Sequence, residues 1–315
     1  MRAVAAAAQA QFSARLRAHA DATVSRVCVG LDPRPSAHPL TDPASHGGDL
    51  AAVGRAITEY ACAVLDATHD LVACCKPQAA FFEALGLPGL QALADVMAHA
   101  RTLGLPIILD AKRGDIGSTA EAYADAYLTG GAFAADALTV NPYLGLDTLE
   151  PFIHAAQANG RGLFVLVRTS NPGSATLQEL ELAAGGSLYQ HLAARLTERA
   201  ASLSADEHGY GLLGAVGGAT APAQLARLRE SLPHSLLLVP GYGAQGGTAA
   251  DVAHAFDANG WGAVVNSSRG IMYPHASVAA SSLSEVRTAA RQAATAMRAD
   301  LQRALVRASA GSAPG

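Results

Sequence analysis

The chain has 315 residues, half of them hydrophobic and only 15% charged, with a formal net charge of −4 at pH 7. That length allows one large domain or two small ones, and the apolar content suffices for a substantial buried core. The absence of a long basic run speaks against nucleic acid or an anionic membrane surface as the main partner, and no stretch approaches the roughly 18 apolar residues of a membrane span.

The N-terminus, "MRAVAAAAQAQFSARLRAHADA", has a short alanine run broken by Gln9 and Gln11 and followed by Arg15 and Arg17. It reads as an amphipathic helix and not as an export signal, so a cytoplasmic location is expected. Short apolar runs then follow at 26–32 (RVCVGLD), 71–76 (LVACCK), 106–112 (PIILDAK), 136–142 (DALTVNP), 162–168 (GLFVLVR), 212–218 (LLGAVGG), 235–241 (SLLLVPG) and 261–268 (WGAVVNSS). They are continuous where a half-exposed strand would alternate, which suits strands buried on both faces. Segments with helical spacing include 51–67, 88–103, 119–130, 187–202, 221–231, 248–258 and 279–307.

Strand followed by helix, repeated through the chain, predicts a (β/α)8 TIM barrel with an extra N-terminal helix; an open doubly wound sheet is the alternative. Residues 1–307 are expected to form this single domain, and "ASAGSAPG" (308–315) a disordered tail. The longest stretches outside the pattern, 33–48 and 171–187, follow strand ends, where barrel enzymes carry active-site loops. Cys28, Cys62, Cys74 and Cys75 make no CxxC pair and read as small core residues in a reducing compartment.

Polar residues collect at the ends of the apolar runs: Asp32, Lys76, Asp110, Lys112, Asn141, Arg168 and Asn266. In a barrel these ends converge on one mouth. The richest stretch is "IILDAKRGDIGSTAEAYA" (107–124), with Asp110, Lys112, Arg113 and Asp115 close together. Asp110 and Lys112 are two apart on an extended chain, so their side chains are expected to share the inward face, within reach of Lys76. Alternating charges keep one another ionised at the rim of a low-dielectric core. Lys112 in such a row suits a proton donor better than a Schiff-base nucleophile.

A second constellation is "VPGYGAQGG" (239–247) after the seventh run with "NSSRGI" (266–271) after the eighth. Glycines let backbone amides approach a ligand, Arg269 can grip a phosphate in two places, and a helix starting near Gly247 would add a positive dipole end. Loops after strands seven and eight are the usual phosphate site of such barrels. No GxGxxG opens a helix after a strand, and the sequence has no Gly-Lys-Ser/Thr phosphate loop, no GxSxG elbow and no HExxH metal motif, so neither a dinucleotide nor a metal is expected.

"LDAKRGDIGSTAEAYA" resembles the signature of the orotidine 5′-phosphate decarboxylase family, Asp-x-Lys-x-x-Asp-Ile-x-x-Thr, at Asp110, Lys112, Asp115, Ile116 and Thr119. Supporting matches are "VGLDP" (29–33), "CCKPQAAFFE" (74–83), "RTSNPGS" (168–174), "PGYGAQGG" (240–247) and "NSSRGI" (266–271), with wording similar to the longer type 2 branch. The resemblance implies conversion of orotidine 5′-monophosphate to UMP and CO2, the last step of de novo pyrimidine synthesis, without metal or organic cofactor. It implies that Lys112 protonates C6 and that Asp110 lies beside the departing carboxylate. Asp115, Ile116 and Thr119 would enter the site of the partner subunit in a homodimer. Lys76 and Asp32 would bind the ribose hydroxyls, Ser170 the pyrimidine edge, and Gln245 with Arg269 the phosphate. Two rivals are weighed: a magnesium-dependent sugar-phosphate enzyme on a related barrel, and a phosphometabolite sensor that has lost catalysis.

Overall fold

The computed structural model describes residues 11–274 and 281–311. Each of the eight apolar runs forms a strand: β1 Val27–Leu31, β2 Cys74–Pro77, β3 Ile108–Arg113, β4 Ala137–Val140, β5 Gly162–Arg168, β6 Leu213–Gly217, β7 Leu237–Val239 and β8 Ala263–Ser267. They pair in parallel in the order β2-β1-β8-β7-β6-β5-β4-β3. Isolated parallel bridges from Cys75 to Ile107 and from Gln78 to Asp110 bring β2 against β3, so the sheet curls round into a barrel. The open doubly wound alternative is thereby set aside.

The helices on the outside are α2 Leu50–Thr68, α3 Gly86–Thr102, α4 Gly117–Ala124, α5 Glu150–Ala158, α6 Leu188–Ala200, α7 Pro222–Ser231, α8 Ala249–Ala253 and α9 Leu283–Gly311, after α1 Phe12–Ala22 at the start. Short helical turns occur at Ala79–Glu83, Ala175–Gln178 and Arg269–Met272. No described helix is long and apolar enough to cross a membrane.

Several boundaries differ from the sequence reading. α5 was not singled out; its signals are a proline in the first turn and the buried spacing of Phe152, Ile153 and Ala156. The helix expected over 119–130 ends at Ala124 and widens into a π-turn, Asp125–Thr129. The helix expected over 248–258 is only one turn, because the Asp257 carboxylate accepts from the amides of Asn259 and Trp261 and folds the segment into a loop. α9 runs to Gly311, into the segment expected to be a disordered tail; its Ala-Ser-Ala continues a helix at little cost. Residues 312–315, and 1–10 of the expected N-terminal helix, lie outside the described residues.

The core has two parts. The larger lies between barrel and helices. The smaller fills the barrel itself with Cys28, Cys74, Ile108, Ala137, Phe164, Val216, Leu238 and Val264, and α1 plugs its lower end with Phe12, Leu16 and Ala20. Gly162 is required there: a Cβ at that position would lie 2.3 Å from the Phe12 ring. Arg15 locks the plug by donating to Asp136 at 2.9 Å and to the Gly160 carbonyl at 3.0 Å. Because side chains alternate along a strand, the inward positions two residues further on are Lys76, Asp110, Thr139 and Asn266. An apolar barrel floor thus carries a polar layer at the C-terminal mouth.

Candidate active site

Asp110 is the hub of that layer. Its Oδ2 accepts from Lys76 Nζ at 2.8 Å and from Gln78 Nε2 at 2.8 Å; its Oδ1 accepts from Lys112 Nζ at 2.5 Å and from the Thr139 hydroxyl at 3.0 Å. The side chains of Lys76 and Asp110 are only 4% and 10% exposed, whereas Lys112 is 44% exposed. Burial alone would disfavour both buried charges. For Asp110 the desolvation is outweighed by Lys76 and Lys112, which hold its carboxyl well below the usual carboxylate range. For Lys76 it is outweighed by Asp110 and Asp32, which raise the ammonium above its ordinary value. Asp32, half-buried just beyond β1, has Oδ1 enclosed with no hydrogen-bond partner, an acceptor available to a ligand hydroxyl.

Lys112 reaches Asp110 by a route that simple alternation does not describe. β3 uses Leu109 to Arg113 where β4 uses only Leu138 to Val140, so β3 bulges. Lys112 sits in that bulge with φ 50°, a left-handed backbone rare for a non-glycine residue. The contact expected from strand spacing is therefore present, but a bulge makes it. Such stored strain at a strand end is a mark of functional sites.

Asp115, Ile116 and Thr119 do not join this cluster within the chain. The Asp115 carboxylate accepts from the Ile116 amide at 2.8 Å, and among the described residues it forms no ion pair. Ile116 is 63% exposed and Thr119 is also exposed. Arg113, next to them, turns away from the mouth to donate to Glu83 and to the Tyr127 hydroxyl and to lie over the rings of Tyr123 and Tyr127.

On the opposite side, Ser170 follows β5, and its carbonyl accepts from the Thr220 hydroxyl at 3.1 Å. The 241–247 loop turns through Gly241, Gly243 and Gly246, at φ 104°, 68° and 97°, conformations that only glycine adopts freely. Gln245 is exposed in it, and the exposed Arg269 reaches over from the β8 end to donate to the Ala244 carbonyl at 3.3 Å. The loop and Arg269 therefore meet as expected. The dipole contribution expected near Gly247 is minor: α8 is a single turn, and Asp251 already receives the Thr248 amide.

Two strand-end residues have other tasks. Arg168 is buried and donates to Glu179, to Ser174 and to the Thr169 carbonyl, so it anchors the loop after β5. Asn141 accepts from the Tyr143 amide in a turn. Conversely, Gln78 and Thr139 were missed. The signal for Thr139 was its inward parity on β4; the signal for Gln78 was its position just past Lys76.

A charged cluster at the C-terminal ends of barrel strands places the chain among the TIM-barrel enzymes. The model of the Orotidine 5′-phosphate decarboxylase / HUMPS family matches residues 25–282. An orotidine 5′-phosphate decarboxylase from Rhodopirellula baltica is 51% identical over 271 residues, which cover 84% of this chain and 89% of the relative. One from Deinococcus radiodurans is 45% identical over 281 residues, covering 89% of this chain and 93% of the relative. The structure of Leishmania donovani OMP decarboxylase superposes with a TM-score of 0.74 at 33% identity, covering 94% of this chain and 99% of that one. The chain belongs to the orotidine 5′-phosphate decarboxylase family.

Proposed function

We infer that this chain decarboxylates orotidine 5′-monophosphate to UMP and CO2, the last step of de novo UMP synthesis. The observation that carries the reading is the Lys76–Asp110–Lys112 cluster at the barrel mouth, in a chain with decarboxylase relatives over most of its length. Loss of CO2 leaves an electron pair at C6 of the pyrimidine, in the ring plane and out of conjugation with its π system. Lys112, the most exposed member of the cluster, stabilises that charge with its ammonium and then gives C6 the proton. Asp110, held ionised by its two lysines, stands beside the substrate carboxylate and disfavours it until it becomes neutral CO2.

Binding comes from the periphery. Lys76 and the open acceptor of Asp32 suit the ribose hydroxyls, and Ser170 suits the pyrimidine edge. Arg269, Gln245 and the amides of the 241–247 loop suit the phosphate. Binding energy from that remote group holds the substrate carboxylate against Asp110. Asp115, Ile116 and Thr119 would serve a second copy of the chain. Their separation from the cluster and the exposure of Ile116, Tyr143 and Leu144 on the same side of the mouth support a homodimer. The free thiols of all four cysteines accord with a cytoplasmic setting.

The family also includes magnesium-dependent sugar-phosphate chemistry, for which the end of β2 would carry an acidic ligand. Here the Lys76 ammonium stands at that point and repels a divalent cation. The deciding experiment follows the ultraviolet absorbance of orotidine 5′-monophosphate with purified protein and EDTA. Turnover to UMP is expected. No turnover, or turnover only after magnesium is restored, would remove this reading.

A further inference from the structure

We propose that Thr139 is the positioning residue that builds the geometry between Asp110 and Lys112. The residue is 1% exposed and lies on the inward face of β4. A threonine hydroxyl has one proton to donate and two lone pairs to accept, and here all three are used. The hydroxyl accepts from the amide of Ala111 at 3.0 Å and from the amide of Lys112 at 2.9 Å, and it donates to Asp110 Oδ1 at 3.0 Å. It has nothing left to offer a substrate, so its role is to place other groups.

Two consecutive amides can aim at one oxygen only if the chain turns between them. Along a regular strand, successive amides point to opposite sides. The turn is the β3 bulge, with Lys112 in the left-handed region. By gathering both amides, the Thr139 hydroxyl compensates the conformation that folds Lys112 back over Asp110. By donating to Oδ1, it also fixes the carboxylate oxygen on which Lys112 Nζ rests at 2.5 Å. Gln78 holds the other oxygen. One buried hydroxyl thus sets the backbone of the proton donor and the rotamer of its carboxylate partner. Displacing a reacting group by about 1 Å can cost on the order of 100-fold in rate, so the hydroxyl matters to turnover more than to affinity.

The inference rests on the decarboxylase reading, and the test separates the two. Wild type, Thr139→Ser, Thr139→Val and Thr139→Ala are compared for kcat and KM with orotidine 5′-monophosphate, for UMP inhibition, and for Tm. Serine keeps the hydroxyl and should stay within about threefold of wild type, whereas valine and alanine should lose kcat by about 100-fold. KM and the UMP inhibition constant should change only a few-fold, because the contacts to ribose and phosphate are untouched. Folded Thr139→Val or Thr139→Ala with near-normal kcat would overturn the inference. So would a fall in Tm with normal turnover by the folded fraction, or failure of both variants to fold while serine is intact. Each of these would make Thr139 a scaffold residue. A wild-type enzyme with no turnover would remove the decarboxylase reading and this inference together, whereas the other results leave that reading standing.

Discussion

Lys112 holds a φ of 50° and still places its ammonium 2.5 Å from Asp110. Both facts bear on its replacement. Lys112→Ala should lower kcat by roughly 1,000-fold or more, within the range associated with loss of a general acid. The fold should persist, since Lys76 and Gln78 still satisfy Asp110. Lys112→Gly should be equally inactive and no less stable than Lys112→Ala. Relief of left-handed strain, about 1–2 kcal/mol, offsets the unfolded-chain entropy of glycine, about 0.4–1 kcal/mol. Urea unfolding decides this, and a glycine variant clearly weaker than the alanine one would show that the bulge stores no strain. The buried pair below has its own pH signature. The carboxyl of Asp110 is depressed, so its contribution is complete above the unfolded pKa, near ~4, and lost as pH falls through the folded value. The ammonium of Lys76 is raised, so its contribution is complete below its unfolded pKa, about 10.4, and lost only as pH rises beyond it. Unfolding free energy should therefore decline below about pH 4 more steeply in wild type than in the Lys76→Met/Asp110→Asn double variant. Equal slopes would mean that the pair has no part in acid lability.

At the scale of elements, the β7 loop is tied down from behind. Tyr242, between two of its left-handed glycines, donates its hydroxyl to Asp300 on α9 at 2.7 Å. Burial, and then Asp300, push the phenol well above its usual range, so it remains a donor across the working pH range. Tyr242→Phe removes a hydrogen bond to a charged group, part of which steadies the loop facing Arg269. KM for orotidine 5′-monophosphate should rise about fivefold, about 1 kcal/mol, with kcat within about twofold. A change in kcat alone would place the strut in the chemical step instead of in phosphate binding. The same loop shows the limit of local reading. Its glycine spacing was informative, while the helix after it was overestimated, because a capping box and the Asp257 turn confine α8 to five residues. Arg168 makes a similar point: its place at a strand end suggested the mouth, but Glu179 and Ser174, from the loop that follows β5, claim it.

At the scale of the whole molecule, the N-terminal helix closes the floor of the barrel and the charged layer forms its other end. Asp115 makes no ion pair with that layer among the described residues, and the proposed homodimer would carry it into the site of a second copy. Mixing Lys112→Ala and Asp115→Ala subunits under conditions that allow exchange should restore about a quarter of wild-type activity, because half the dimers are mixed and one site in each is intact. Proven subunit exchange without recovery would confine Asp115 to its own chain and remove the shared-site reading.

The sequence by itself determined a parallel sheet buried on both faces by helices, because continuous apolar runs separated by helical spacing have few other ways to be covered; closure into a barrel instead of an open doubly wound sheet was decided by the bridges between β2 and β3. It also determined that Lys76 and Asp110 face the mouth, since alternation along a strand fixes the inward set once one member is known. Asp110, Lys76 and Thr139 follow from that rule; Thr139 was legible and passed over because a hydroxyl carries no charge to draw attention. Tertiary structure alone decided how Lys112 meets Asp110, because the bulge depends on a hydroxyl supplied by the neighbouring strand. It alone decided that Arg168 serves a loop and that α1 fills the barrel floor. Periodicity registers which way a side chain faces, but hydrogen bonds between distant segments choose its partner, and those depend on what the fold brings alongside.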